Sequence, residues 1–139
     1  MEGKPLVITA AICGAEVTKD QNPNVPYSAA ELAEEAARCY AEGARVIHLH
    51  VRKPDGSPTQ DRETFRKAIE AIRARLPEVI IQTSTGGAVG MSVEERTQPL
   101  DLDPHSLHSH RQPLLWPVGG QSIQDSQGSR QVNLRYLGR

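Results

Sequence analysis

A chain of 139 residues is long enough for one domain with its own core, and gives no reason to expect more than one. Its formal net charge of −1 leaves no basic field for nucleic acid or an anionic membrane, so a small or acyl-type ligand is expected rather than a polymer. No apolar run approaches the ~18 residues of a membrane span, and Met1 to Pro5 lead straight into a strand-like segment without a signal-peptide layout, which makes the cytosol the expected compartment.

Leu6-Val-Ile-Thr-Ala-Ala-Ile12 is a short run rich in β-branched residues between Pro5 and Gly14, as expected of a strand buried on both faces. Ser28 followed by Glu31 is a capping box. Ala29, Leu32, Ala33, Ala36, Cys39 and Tyr40 then recur at helical spacing until Gly43 closes the segment. Arg45-Val-Ile-His-Leu-His-Val51 reads as the second strand, with a turn at Asp55-Gly56. A second helix starts near Asp61 or Thr64, carries the stripe Phe65, Ala68, Ile69, Ile72 and Leu76, and stops at Pro77. Val79-Ile-Ile-Gln-Thr-Ser84 is the third strand, and Ser92 with Glu95 offers another capping box before Pro99.

Strands alternating with such helices predict parallel pairing, in a doubly wound sheet or a (β/α)₈ barrel. A dinucleotide fold would place G-x-G-x-x-G at the first strand-to-helix turn, where this chain has Cys13-Gly-Ala-Glu-Val17. The barrel is favoured. Cys13 and Cys39 form no metal-type or redox-type motif and are expected as packed thiols.

Composition breaks near Pro104. Residues 1–104 hold all fourteen alanines, all four lysines and sixteen of the seventeen acidic residues, whereas residues 105–139 keep only Asp125 among the acids. Twelve basic against sixteen acidic residues give −4 before the break, and four against one give +3 after it. The division predicts a partial α/β domain over 1–104 and an irregular or disordered tail over 105–139. A frame-shifted or mis-spliced reading, or an unrelated terminal exon, would produce such a junction.

His48 and His50 are the principal candidates. Residues two apart on a strand face the same side, so both imidazoles can reach one ion, while Ile47, Leu49 and Val51 point the other way, beneath the helices. Two core histidines bonded to backbone or water are the competing reading. A catalytic metal needs a third protein ligand and an open position besides. Ser84, Thr85, Gly86 and Gly87 leave the third strand at the same end; their N–H groups and hydroxyls suit a substrate carboxylate, although a plain tight turn is the alternative. Glu16, just past the first strand, offers a carboxylate to a substrate amine, or is a solvated loop charge. Arg52 continues the parity of the histidines and offsets negative charge near the metal, or faces solvent. Glu16 and Arg52 are the catalytic candidates. His105, His108 and His110 are spaced like metal ligands but lie in the anomalous tail, where they read as incidental composition.

Thr9-Ala-Ala-Ile-Cys-Gly-Ala-Glu16, Asn22-Pro-Asn-Val-Pro26, Gly43-Ala-Arg-Val-Ile-His-Leu-His-Val-Arg52 and Ile81-Gln-Thr-Ser-Thr-Gly-Gly-Ala-Val-Gly90 together resemble the β-keto acid cleavage enzymes, of the 3-keto-5-aminohexanoate type that serves lysine fermentation. The resemblance runs from about Leu6 to Pro104. It implies a (β/α)₈ TIM barrel of which this chain carries an N-terminal fragment, homo-oligomeric assembly, and zinc held by an H-x-H pair and a later glutamate. It assigns His48 and His50 as metal ligands, Ser84 and the following glycine-rich turn as the carboxylate site, and Glu16 as a contact to the substrate's amino end. The implied reaction is acyl transfer between a small β-keto acid and acetyl-CoA, ending in retro-Claisen cleavage to acetoacetate and a new acyl-CoA. The third, glutamate ligand has no match after Pro104, and about 250 residues make a complete barrel, so this chain alone is expected to be inactive. A non-catalytic fragment and another metal-dependent barrel enzyme such as an amidohydrolase are the alternatives; the latter expects H-x-H on its first strand.

Overall fold

The computed structural model of the protein describes residues 6–87, 90–102, 122–124 and 131–135. In chain order its elements are β1 (Val7–Ala11), α1 (Ala29–Ala41), β2 (Val46–Leu49), the short β3 (Val51–Arg52) and β4 (Pro58–Thr59), α2 (Arg62–Arg75), β5 (Ile80–Thr83), α3 (Val93–Thr97), a 3₁₀ turn (Gln98–Leu102), β6 (Ser122–Gln124) and β7 (Gln131–Arg135).

Local chemistry sets the helix starts. Ser28 Oγ accepts from the Glu31 N–H at 3.2 Å while the Glu31 carboxylate accepts from the Ser28 N–H at 2.8 Å, which completes the expected capping box of α1. Asp61 caps α2 by accepting from the Thr64 N–H at 2.8 Å. Ser92 and Glu95 close a second capping box on α3. Both long helices then turn an apolar stripe to the sheet: Leu32, Ala33 and Ala36 from α1, and Phe65, Ala68, Ile69 and Ile72 from α2, pack with Ile47, Leu49 and Ile81 in one core. Among the described residues no helix is long and apolar enough to cross a membrane.

The sheet order is β5-β2-β1-β7-β6. β1 pairs parallel with β2 and β2 parallel with β5, so that Ala11, His48 and Gln82 form one row across three strands and Thr9, Val46 and Ile80 another. This is a mixed α/β architecture, and the helix-linked strands are the parallel ones, as their long crossovers require.

The structure departs from expectation in three places. The second strand does not run unbroken to Val51. It ends at Leu49, and Val51–Arg52 pair instead with Pro58–Thr59, because a turn donates Lys53 N–H to Ser57 O and Gly56 N–H to Lys53 O, each at 2.9 Å, and returns the chain on itself. β1 is not buried on both faces. Ala10 is its buried residue, and Val7 on the opposite parity is 38% exposed, because the helices pack on one face of the sheet only. The tail, expected to be irregular, contributes β6 and β7 in the parts of it that are described, while His105, His108 and His110 lie outside the described residues. β7 runs antiparallel along all of β1, from Val7 opposite Arg135 to Ala11 opposite Gln131, and occupies an edge whose amides would otherwise lack a strand partner.

Glu31 makes the fold sensitive to acid. The Lys19 ammonium at 2.6 Å, with the N–H groups of Ser28 and Tyr27, holds its carboxyl down to about 2 from an ordinary 4.5. A folded value below the unfolded one means that its stabilisation is complete above about pH 5 and is lost as pH falls toward 2. Thermal melts across that window should therefore fall more steeply for the wild type than for Glu31→Gln, and parallel acid limbs would show that this carboxylate contributes nothing.

Candidate metal and substrate site

β2 builds the site by alternation. Ile47 and Leu49 are sealed beneath α1 and α2, as is Val51 just past the strand end, and this turns His48 and His50 together onto the sheet face that the helices leave bare. Both histidines are half-buried there, with ring centres 5.1 Å apart and planes at 69°. Two imidazoles that bind one tetrahedral ion through nitrogens at ~2.0–2.1 Å have ring centres roughly 5 Å apart, so the pair fits a shared divalent metal. Among the described residues no group of three or more His, Cys, Asp or Glu is placed to hold a metal.

The neighbours of the two rings differ. His48 Nδ1 lies 3.1 Å from Gln82 Oε1, straight across the β2–β5 pair. Burial, reinforced by repulsion from His48 and Arg52, pushes the His50 imidazole down to about 4. At neutral pH His50 is uncharged, the state in which imidazole can ligate a metal.

Arg52 is neither solvent-facing nor aimed at an open site. It is 3% exposed, and its guanidinium donates to three carbonyls: Gly14 O at 3.0 Å, Val17 O at 3.1 Å and Gly56 O at 2.7 Å. The first two flank Glu16, so Arg52 holds the loop after β1 that carries the exposed Glu16 side chain. Gly56 completes the clasp at a φ of +85°, where a Cβ would stand 2.7 Å from the Tyr27 ring. Tyr27 in turn accepts the Lys19 N–H at 2.8 Å, further fixing the segment that leads into α1.

The glycine-rich turn follows β5 at the same end. The Ser84 N–H donates to Leu49 O at 2.9 Å, which extends the β2–β5 ladder by one step and sets Ser84 beside the histidine segment. Ser84 is buried, and its Oγ accepts from the Gly86 N–H at 3.2 Å. Two residues that the sequence did not mark hold this turn. Buried Gln60 donates Nε2 to Ser84 O at 2.9 Å, and Arg96 of α3 donates Nε to Thr85 O at 2.8 Å. Gly87, at a φ of +59°, lets Arg96 lie close, since a Cβ there would meet its Cγ at 2.7 Å. Gln82 was also unmarked; its signal was a polar residue within a run of apolar ones, in step with Ser84.

A cavity of about 610 Å³ opens elsewhere, between the N-terminal ends of α1 and α2, with Lys19, Lys53, Lys67, Val51 and Arg52 on its walls and neither histidine among them. Its lysines are largely engaged, Lys19 with Glu31 at 2.6 Å and Lys67 with Glu63 at 3.7 Å. Cys13 and Cys39 are reduced thiols that pack against the core, and burial pushes the Cys13 thiol up despite the nearby Arg52.

The chain is thus of the mixed α/β class, with two adjoining imidazoles at the C-terminal end of β2 beside a glycine-rich turn. Sequence comparison narrows the class. The profile of the β-keto acid cleavage enzymes matches residues 5–113, and the chain belongs to that family. It is 66% identical over 99 residues to the 3-keto-5-aminohexanoate cleavage enzyme of Fusobacterium nucleatum, a match covering 71% of this chain and 36% of the relative. The enzyme of the same name from Acetoanaerobium sticklandii is 61% identical over 99 residues, again 71% and 36%. The 3-oxoadipate:acetyl-CoA acetyltransferase of Cupriavidus necator is 38% identical over 101 residues, 73% of this chain and 35% of the relative. The chain thus spans little more than a third of the length of these curated relatives.

Removing the Arg52 clasp should loosen the Glu16 loop. Arg52→Met strands three carbonyls and should destabilise the fold by on the order of 3 kcal/mol in urea titration, with faster protease nicking between residues 14 and 19. An unchanged denaturation midpoint would refute the clasp.

Proposed function

We propose that residues 6–104 are the first part of a (β/α)₈ barrel enzyme that cleaves a β-keto acid with acetyl-CoA, giving acetoacetate and a new acyl-CoA, with zinc held by His48 and His50. The observation that carries the reading is the histidine pair, side by side on the face of the parallel strands opposite α1 and α2. That face suits a barrel lumen: the row Thr9, Val46, Ile80 lies toward the N-terminal strand ends and the row Ala11, His48, Gln82 above it, while both helices lie on the other side. The substrate class follows from the names of the relatives, 3-keto-5-aminohexanoate above all.

A divalent metal at the pair supplies Lewis acidity to the ketone of the substrate. The chain's own residues bind and orient. Ser84 offers its hydroxyl, oriented by the Gly86 N–H that it accepts, and Thr85 and Gly87 their backbone N–H groups, to the substrate carboxylate, on a turn that Gln60 and Arg96 keep in place. Glu16 presents a carboxylate to the substrate's ammonium group, and Arg52 acts as a positioning residue by fixing the carbonyls on either side of it. The third protein ligand belongs to the part of the barrel beyond these residues. Cytosolic acetyl-CoA is the acyl source in this reading.

The direct test is a graft. Residues 1–104 replace the matching first third of the Fusobacterium nucleatum enzyme, and zinc-dependent acetoacetate release from 3-keto-5-aminohexanoate and acetyl-CoA is measured. The graft should turn over within about tenfold of the parent, since a shared fold and site leave only secondary packing differences of about 1.4 kcal/mol to overcome. The graft carrying His48→Ala and His50→Ala should lose both zinc and activity, and the 139-residue chain alone should release none. A folded, zinc-loaded graft without turnover would refute the assignment.

A further inference from the structure

We propose that Gln82 is a positioning residue that fixes the tautomer and ring orientation of His48, so that His48 offers Nε2 to a divalent cation; the inference rests on reading His48 and His50 as metal ligands.

A neutral imidazole carries one N–H and one lone pair, and the partner of one nitrogen decides the role of the other. The Gln82 atom that faces Nδ1 of His48, at 3.1 Å, is its carbonyl oxygen Oε1. An amide oxygen only accepts, so Nδ1 donates and the ring's lone pair lies on Nε2. The opposite amide orientation would put an N–H against Nδ1 and a proton on Nε2, the tautomer that cannot ligate through that atom.

Placement of the amide follows from the fold. His48 and Gln82 are register partners on adjoining parallel strands, which lie about 4.8 Å apart, within reach of a glutamine side chain. The pairs on either side, Ile47 with Ile81 and Leu49 with Thr83, are buried against the helices and lock that register. A slip of one residue would turn Gln82 into the core. An outer partner that orients a ligating imidazole commonly changes metal affinity by about 10–100-fold, and a neutral amide does so without adding charge beside the pair.

The test uses the full 139-residue chain. Long-range ¹⁵N–¹H correlation near pH 8, with His48 assigned through a His48→Gln variant, should show the wild-type ring as the Nδ1–H tautomer. Gln82→Met, similar in volume and lacking the acceptor oxygen, should shift His48 toward Nε2–H and weaken the Kd for Co(II) by about 10–100-fold, with the far-UV circular dichroism unchanged. Gln82→Glu, which restores an acceptor, should return the tautomer and bring the Kd to within a few-fold of wild type. A packing role would move neither tautomer nor produce that rescue. An Nε2–H ring in the wild type, or a tautomer and Kd indifferent to Gln82→Met, overturns the proposal, and the first of these decides even if the variants misfold. Absence of Co(II) binding by the graft into the Fusobacterium nucleatum enzyme, which supplies the rest of the barrel, would instead overturn the metal reading, while the tautomer would still decide what Gln82 does to His48.

Discussion

A strand can bury alternate side chains against only one layer, so on β2 the choice of which residues meet the helices also decides where the histidines go. Burial of an aliphatic side chain contributes roughly 1.5–3 kcal/mol, and Ile47 and Leu49 together hold the parity by about 3–6 kcal/mol. A shift of one residue would force two imidazoles among Leu32, Phe65 and Ile72 and expose two large aliphatics. The neighbouring strands are fixed by the same burial, through Ala10 on β1 and Ile81 on β5. Contact between the histidine rings, the row that brings Gln82 to His48, and the seat of the Ser84 turn beside Leu49 all descend from that one constraint.

What was legible in the sequence was what is short in range. The caps at Ser28 and Ser92 act within three residues, and the helical stripes and the His48/His50 parity are periodic, so each could be read from spacing alone. The same reading overextended the second strand. It had no means of seeing that the turn at Lys53–Ser57 would bring Pro58–Thr59 back onto Val51–Arg52 and end the strand one residue short of His50. Arg52 shows the limit most plainly. Spacing alone leaves it either beside the histidines or facing solvent; its acceptors at Val17 and Gly14 lie 35 and 38 positions away, and only the fold reveals that they bracket Glu16. Gln60 and Arg96 reach the turn after β5 across similar gaps, and nothing in their own surroundings distinguishes them from ordinary polar residues.

The two faces of the sheet divide labour between stability and chemistry. Beneath the helices the side chains are aliphatic and sealed; on the other face Ile80 is 57% exposed near the start of its strand while His48 and Gln82 stand farther along theirs. Segments that leave the strands at this end are tied by side-chain to backbone bonds, Arg52 for the loop after β1 and Gln60 with Arg96 for the turn after β5. Backbone held by buried donors is positioned more strictly than a free loop, and that precision is what a substrate-orienting site requires.

β7 gives the tail a consequence that its composition did not announce. One row of backbone amides along β1 accepts one neighbour, and β7 takes it from end to end in the antiparallel sense. A barrel of parallel strands closes through the same row, with its last strand running alongside the first in the same direction. Tail docking and closure of the proposed barrel are rival claims on a single edge, and satisfying one forbids the other. With β7 in place the sheet continues to β6 on that side, and any other strand coming to β1 would first have to displace β7.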